Sequence, residues 1–257
     1  MYYKGIIDTH SHYDDERFSQ NLDEILRCQA ENGVESIITC GSDMATSYRS
    51  IEIAEAYDFV YAAVGVHPHA AGDVSGSWLL EIEQLAAHPK AVAIGELGLD
   101  YYYPEPRRDI QQNVFRAQLE LAGKLNMPVQ IHDRDAHGDI MDIVNEYHPA
   151  GCLHRYSGST EQAREYVKLG LYLGIGGALT YKNSKKERAV VAEIPLEHLI
   201  LETDCPYLAP EQFRGRTSTS DMLWVVANMM AEIKGGVTPQ QVVDITRKNA
   251  KRAFNIT

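Results

Sequence analysis

The feature that most limits what this chain can fold into is a rhythm. Along its 257 residues, eight short apolar strand-like segments alternate with amphipathic helical stretches. The strand candidates are 5–12 (GIIDTHSH), 36–41, 60–68, 91–100, 129–134, 152–157, 171–177 and 199–206. Between the first two, Leu22, Ile25 and Leu26 form an apolar stripe that stops at Gly33. A long helix running from RRDIQQ ends before Pro128, and two more are expected at 220–233 and 238–250. Such alternation builds a parallel sheet, and eight strands close a (β/α)8 barrel. An open doubly wound sheet competes, but no GxGxxG follows the first strand, where such a fold often keeps its nucleotide loop. The expected fold class is therefore α/β, a (β/α)8 TIM barrel, with residues 1–257 as one domain.

In these barrels catalytic groups sit at the C-terminal ends of the strands. His10 and His12 close strand 1, and because side chains alternate along a strand, Asp8, His10 and His12 share one face. His67 and His69 follow strand 3, Glu96 and Asp100 lie late in strand 4, His132 ends strand 5, His154 ends strand 6 and Asp204 ends strand 8. The remaining histidines provide contrast. His88, His148 and His198 precede strands, at the opposite end, and His137 starts the helix after strand 5. One histidine at a strand end is unremarkable, and Glu96 or Asp204 alone could simply cap a loop. Two His (His10, His12), one Glu (Glu96), two further His (His132, His154) and one Asp (Asp204) at one rim make a constellation.

Imidazoles and carboxylates without thiolates suit divalent Zn, Mn, Fe, Co or Ni, with Mg where carboxylate and water dominate. Six candidate ligands exceed what one open catalytic zinc takes. Two ions about 3.5–4 Å apart would use them all, with Glu96, from a middle strand, as the bridge. Such a pair supplies hydroxide at neutral pH and steadies the attacking and leaving oxygens of a displacement, so the implied reaction is hydrolysis. Asp204 would hold a metal and accept the proton of the attacking water; Asp204 and Glu96 are the catalytic candidates.

Composition narrows the setting. A net charge of −12 excludes a protein that coats nucleic acid through a basic face, though not an enzyme with a locally positive cleft. No apolar run is long enough to span a bilayer, and the N-terminus enters the first strand at once, so no signal peptide and a cytoplasmic location are expected. Cys28, Cys40, Cys152 and Cys205 lack CxxC spacing and read as buried small residues in a reducing compartment.

The segments DTHSHYDDERF, GVHPH, AIGELGLDYYYPEPRRDIQQNVFRAQLELA, MPVQIHDRDA, LHRYSGS and LETDCPYLAPEQFRGR resemble, in order and spacing, the TatD family of metal-dependent deoxyribonucleases in the amidohydrolase superfamily. The likeness covers nearly the whole chain. It implies a (β/α)8 barrel and phosphodiester hydrolysis on DNA, expected as exonuclease action, with two divalent ions (Mg²⁺, Mn²⁺ or Zn²⁺). By motif, His10, His12 and Asp204 would hold one ion, His132 and His154 the other, and Glu96 would reach both. DNA is the expected partner, as substrate; neither a membrane nor an obligate protein partner is expected. Two departures fall where substrate could lie: His154-Arg155-Tyr156 stands where the family often has His-Cys-Phe, and TSTSDML at 217–223 replaces a common Arg-Asn-x-Pro.

Arg107, Arg108, Arg134, Arg155, Lys182, Lys185, Lys186, Arg214 and Arg216 follow strands on the same side and would position phosphates without reading sequence. Tyr101, Tyr102 and Tyr103 could stack on unpaired bases. His67 is expected to touch substrate or support a ligand, and Glu202, facing the same way as Asp204, to orient one. An alternative keeps the metals and changes the substrate to another ester or amide, such as an aminoacyl-tRNA or a small metabolite. Many relatives in the wider superfamily resemble one another in a carboxylated lysine after strand 4, where this chain has Glu96. A non-catalytic barrel would have lost a ligand, and a Schiff-base aldolase would need a lysine late in a strand; neither applies.

Overall fold

A strand whose residues alternate between two apolar environments must be covered on both faces, and every strand here is. The computed structural model describes residues 3–74 and 76–256. Its strands are β1 (Ile6–Ser11), β2 (Val34–Cys40), β3 (Val60–Val64), β4 (Ala91–Asp100), β5 (Val129–Arg134), β6 (Gly151–Leu153), β7 (Tyr172–Ile175) and β8 (Leu199–Leu201). They form one parallel sheet in sequence order, β1 to β8. The helices between and after them are α1 (Leu22–Glu31), α2 (Met44–Ala56), α3 (Trp78–Ala86), α4 (Arg108–Leu125), α5 (His137–Tyr147), α6 (Thr160–Lys168), α7 (Lys185–Glu193), α8 (Leu223–Lys234) and α9 (Pro239–Phe254). This is the expected TIM barrel.

The strand residues divide by parity. Ile6, Ile37, Ala62, Leu153, Leu199 and Leu201 join the large cluster shared with the helices. Their neighbours Ile7, Ile38, Ala63, Cys152 and Ile200 join a second cluster, which also holds Cys40 and Ala93. That second cluster is the barrel interior, and Phe254 and Ile256, at the end of the chain, pack into it. Helix α9 lies against β1, β6 and β8. The small interior side chains leave room for the fully buried polar groups Gln130 and His10.

The barrel closes through side chains more than through strand pairing. Between the ends of β1 and β8 there is one isolated bridge, Ser11 to Cys205. It is reinforced by the Asp204 N–H donating to the His10 carbonyl at 2.9 Å and the His12 N–H to that of Cys205 at 2.7 Å. Asp8, fully buried, accepts from the Thr203 backbone (2.9 Å), the Thr203 hydroxyl (2.6 Å) and the Ser220 hydroxyl (2.6 Å). One carboxylate thus ties β1 to the loop after β8 and to the turn before α8.

Several boundaries differ from expectation. β3, β6 and β8 are shorter than the segments 60–68, 152–157 and 199–206, so His67, His154 and Asp204 lie on loops just past their strands. Residues 220–222 form a 3-10 turn ahead of α8, whereas α4 ends before Pro128 as expected, at a left-handed Asn126 (φ 53°). Cys40, Cys152 and Cys205 are buried as expected; Cys28 is exposed, on the outer side of α1. Among the described residues no helix is long and apolar enough to cross a membrane.

Candidate metal centre

The strand ends bring His10, His12, Glu96, His132, His154 and Asp204 to one spot at the barrel mouth. Glu96, 3 % exposed, lies at the centre and faces two ways. Its Oε2 is 3.5 Å from His10 Nε2 and 3.6 Å from His12 Nε2. Its Oε1 is 2.7 Å from His132 Nδ1 and 3.8 Å from His154 Nε2. Asp204 Oδ1 stands 3.5 Å from His12 Nε2 and 3.8 Å from His154 Nε2. The rings of His10 and His154 stack with centroids 3.4 Å apart.

Hydrogen bonds on the far side of the His10 and His12 rings decide which nitrogen faces inward. The Gln130 amide donates to the Thr9 carbonyl at 2.8 Å, which turns its Oε1 to His10 Nδ1, 2.6 Å away. His10 therefore donates from Nδ1. His12 donates from Nδ1 to the Cys40 carbonyl at 2.9 Å. Both Nε2 atoms are then lone pairs in the neutral rings, yet they lie 3.2 Å from each other. His132 Nε2 faces Asp100 Oδ2 at 3.2 Å, leaving Nδ1 toward Glu96. His154 Nδ1 lies 3.1 Å from Glu202 Oε1, near but outside hydrogen-bond geometry. Glu202 Oε1 also accepts the Arg155 backbone N–H. Gly174 makes space for that carboxyl, since a Cβ there would collide with it.

This set of electron-pair donors could hold a divalent cation, and its carboxylates also raise the proton affinity of two of the imidazoles. Burial opposes charge on His12, but hydrogen bonding to Asp204 and the Glu96 and Asp204 charges push its pKa up to about 10. Burial opposes charge on His132 too, and Glu96 with Asp100 raises it to about 9. Burial would raise Glu96, yet the imidazoles of His67, His10 and His132 hold it well below the carboxylate range. Asp204 is likewise lowered against its burial by His12 and His154. Burial lowers His154 to about 4 and lifts Glu202 to about 8. The N and O donor set, free of thiolate, fits a borderline or hard divalent ion, and each ligand imidazole has a carboxylate, amide or carbonyl behind it, as metal-binding histidines do.

The site opens into a cleft of about 690 Å³ lined by His67, His69, Asp100, Tyr103, Arg134, Arg155 and Tyr207 among others. Arg155, at a left-handed φ of 46°, reaches to 3.8 Å from Asp204 Oδ2. Arg134 lies 3.8 Å over the Tyr102 ring. Tyr101 stands elsewhere: its hydroxyl donates to Asp139 at 2.6 Å and its ring packs under Arg108. Tyr103, 48 % exposed, takes the cleft position instead. The basic rim is thinner than expected, because Arg107 pairs with Asp109 and Arg214 with Glu211. At the other end of the barrel His88 pairs with Glu55 and His148 caps α5. Gln130 escaped the sequence reading. Its signal was a polar side chain inside the buried strand VQIHDR, two residues before His132 and so on the same face.

A barrel of this kind with an imidazole–carboxylate cluster at its C-terminal mouth is the build of a metal-dependent hydrolase. A profile of the TatD related DNase family matches residues 7–255. The chain is 43% identical over 254 residues to the uncharacterized metal-dependent hydrolase YabD of Bacillus subtilis, covering 98% of this chain and 99% of that one. It is 33% identical over 207 residues, 79% of this chain and 80% of the other, to the 3'-5' ssDNA/RNA exonuclease TatD of Escherichia coli. The crystal structure of YjjV, a TatD homolog from Escherichia coli, superposes with a TM-score of 0.93 at 32% identity, covering 98% and 99% of the two chains. The protein belongs to the TatD-related family of metal-dependent hydrolases.

Proposed function

We propose that the protein is a two-metal phosphodiesterase that removes nucleotides from the ends of single-stranded DNA. The observation that carries this is the arrangement of inward lone pairs around Glu96, with His10 and His12 Nε2 only 3.2 Å apart. His10, His12, Asp204 and Glu96 Oε2 would hold one divalent ion; His132, His154 and Glu96 Oε1 the other. When bound, such ions lower the pKa of water and stabilise charge on the oxygens of a displacement. The chain's own residues do the rest. Asp204, kept ionised by its imidazole neighbours, accepts the proton of the attacking water. Glu96 fixes the spacing of the two ligand sets. Arg155 and Arg134 position the phosphate, and Tyr103 offers a ring face to an unpaired base. The choice of single-stranded DNA and of end removal follows the activity named for the Escherichia coli exonuclease; Mg²⁺, Mn²⁺ and Zn²⁺ are the candidate ions.

The test is cleavage of end-labelled single-stranded DNA by protein stripped with EDTA and resupplied with each of these ions. Metal-dependent release of mononucleotides is expected, falling by about 100-fold or more in Asp204→Asn. Metal-loaded protein that leaves DNA intact with every ion would overturn the assignment and point to another ester or an amide.

A further inference from the structure

The imidazoles around the candidate metal centre are not all wired alike. His10, His12, His132 and His154 each turn one nitrogen outward to Gln130, the Cys40 carbonyl, Asp100 or Glu202. For His10 and His12 the inward nitrogen of the neutral ring is thereby left as a lone pair, whereas His132 also bonds Glu96 through Nδ1 at 2.7 Å and His154 Nδ1 has no hydrogen-bond partner. His67 is wired in the opposite sense. Its Nδ1 accepts the backbone N–H of His69 at 3.1 Å, a bond that also caps the short turn at Pro68–Ala70. A neutral imidazole carries one proton, so here it sits on Nε2. That nitrogen is the one turned toward the centre, 3.7 Å from Glu96 Oε1. The separation is too long for a hydrogen bond, so Glu96 does not consume the donor. The ring is held edge-on between His69 and His132, with centroids 4.6 and 4.5 Å away.

His67 falls within two groupings of possible ligands, one with His69 and Asp100 and one with Glu96 and His132. A nitrogen that carries hydrogen has no lone pair for a metal, so its wiring sets it apart from His10 and His12. Asp100 is already committed as well: His69 Nε2 lies 3.0 Å and His132 Nε2 3.2 Å from its Oδ2, and its Oδ1 accepts the Tyr102 N–H at 3.0 Å. What remains is a fixed N–H at the wall of a cleft beside the metal ligands.

We propose that His67 is a catalytic residue: its Nε2–H donates to a non-bridging oxygen of the phosphate, and it does not ligate metal. This rests on the phosphodiester assignment above. A donor already oriented before substrate arrives needs no reorganisation as charge grows on that oxygen.

The experiment uses the metal-loaded protein and its variants His67→Ala and His67→Gln, the latter restoring an N–H at similar reach. Metal content per chain and the Kd for inorganic phosphate are measured first. Metal content is expected to stay at the wild-type level in both variants. Phosphate binding should weaken about 10-fold in His67→Ala and recover in His67→Gln. With DNA bearing one phosphorothioate of defined configuration, one diastereomer should be slowed in the wild type, without rescue by Cd²⁺, and this slowing should vanish in His67→Ala. Loss of metal from His67→Ala, or unchanged phosphate affinity, would overturn the proposal. Should His67→Ala not fold, His67→Phe keeps the ring volume without the donor and gives the same readouts. Phosphate binding that depends on His67, in a protein that leaves DNA intact, would defeat the nuclease assignment and leave this one standing.

Discussion

His12 and His132 hold the proton balance of the metal-free protein. Their pKa values, about 10 and about 9, lie above the ordinary 6.5. The protons they gain on folding stabilise the stripped protein fully below pH 6.5, and this contribution is lost as pH rises through 9 to 10. A metal-loaded site has no such protons to lose. The melting-temperature gap between loaded and stripped protein is therefore expected to widen from pH 6.5 to 9.5. Metal uptake at pH 7.5 should release about two protons, one from each ring. Calorimetry in buffers of different ionisation enthalpy measures this; uptake without proton release would contradict it. At this scale the sequence foresaw which six side chains gather at the mouth, because strand ends fix where a side chain points, but strict alternation misplaced Asp8, which turns to Thr203 and Ser220 past a register shift in β1. It was a poor guide to partners such as the Cys40 carbonyl, since a backbone oxygen leaves no trace in residue type. Of the three tyrosines it offered for stacking it also preferred Tyr101, where the cleft holds Tyr103: neighbouring residues in a loop obey no period.

At the scale of elements, the weak point is the junction of β1 and β8, where one bridge and the Asp8 cluster do the work of a ladder. Removing that carboxylate leaves the buried Thr203 N–H without an acceptor. The Thr203 and Ser220 hydroxyls lose their shortest one and keep only the His10 carbonyl at 3.4 Å and the Tyr13 hydroxyl at 2.8 Å. Asp8→Ala should cost about 3 kcal/mol in urea unfolding, and it should lower metal content, since Asp204 hangs from the same loop. A variant as stable as the wild type would show that the junction is held otherwise. The same region explains why strands were drawn too long from sequence. Apolar patterning reports burial, and His154, Glu202 and Thr203 are buried beyond the ends of β6 and β8. Pairing has ceased there, but the chain has not yet reached solvent. The eight-fold alternation itself was fully legible, because it depends on period and not on where each ladder stops.

For the whole molecule, the proposed function requires a net charge of −12 to coexist with a polyanionic substrate. Arg134 and Arg155 line the cleft, so the protein's own grip extends to roughly two phosphates. Oligonucleotide binding by Asp204→Asn should then fall with salt at a log–log slope of about −1.4, at about −0.7 per phosphate on single strands. A slope several times steeper would reveal a longer basic track. One further consequence follows from what stands behind the imidazoles. Gln130 and the Cys40 carbonyl belong to strands of the sheet, so the spacing of His10 and His12 is set by the barrel wall and cannot breathe with a loop. An ion of the wrong radius would have to shear hydrogen-bonded strands to be accommodated. Preference among ions can therefore drift through changes at Gln130, Asp100 or Glu202 while all six ligands stay the same, and two proteins with identical ligands need not share a metal.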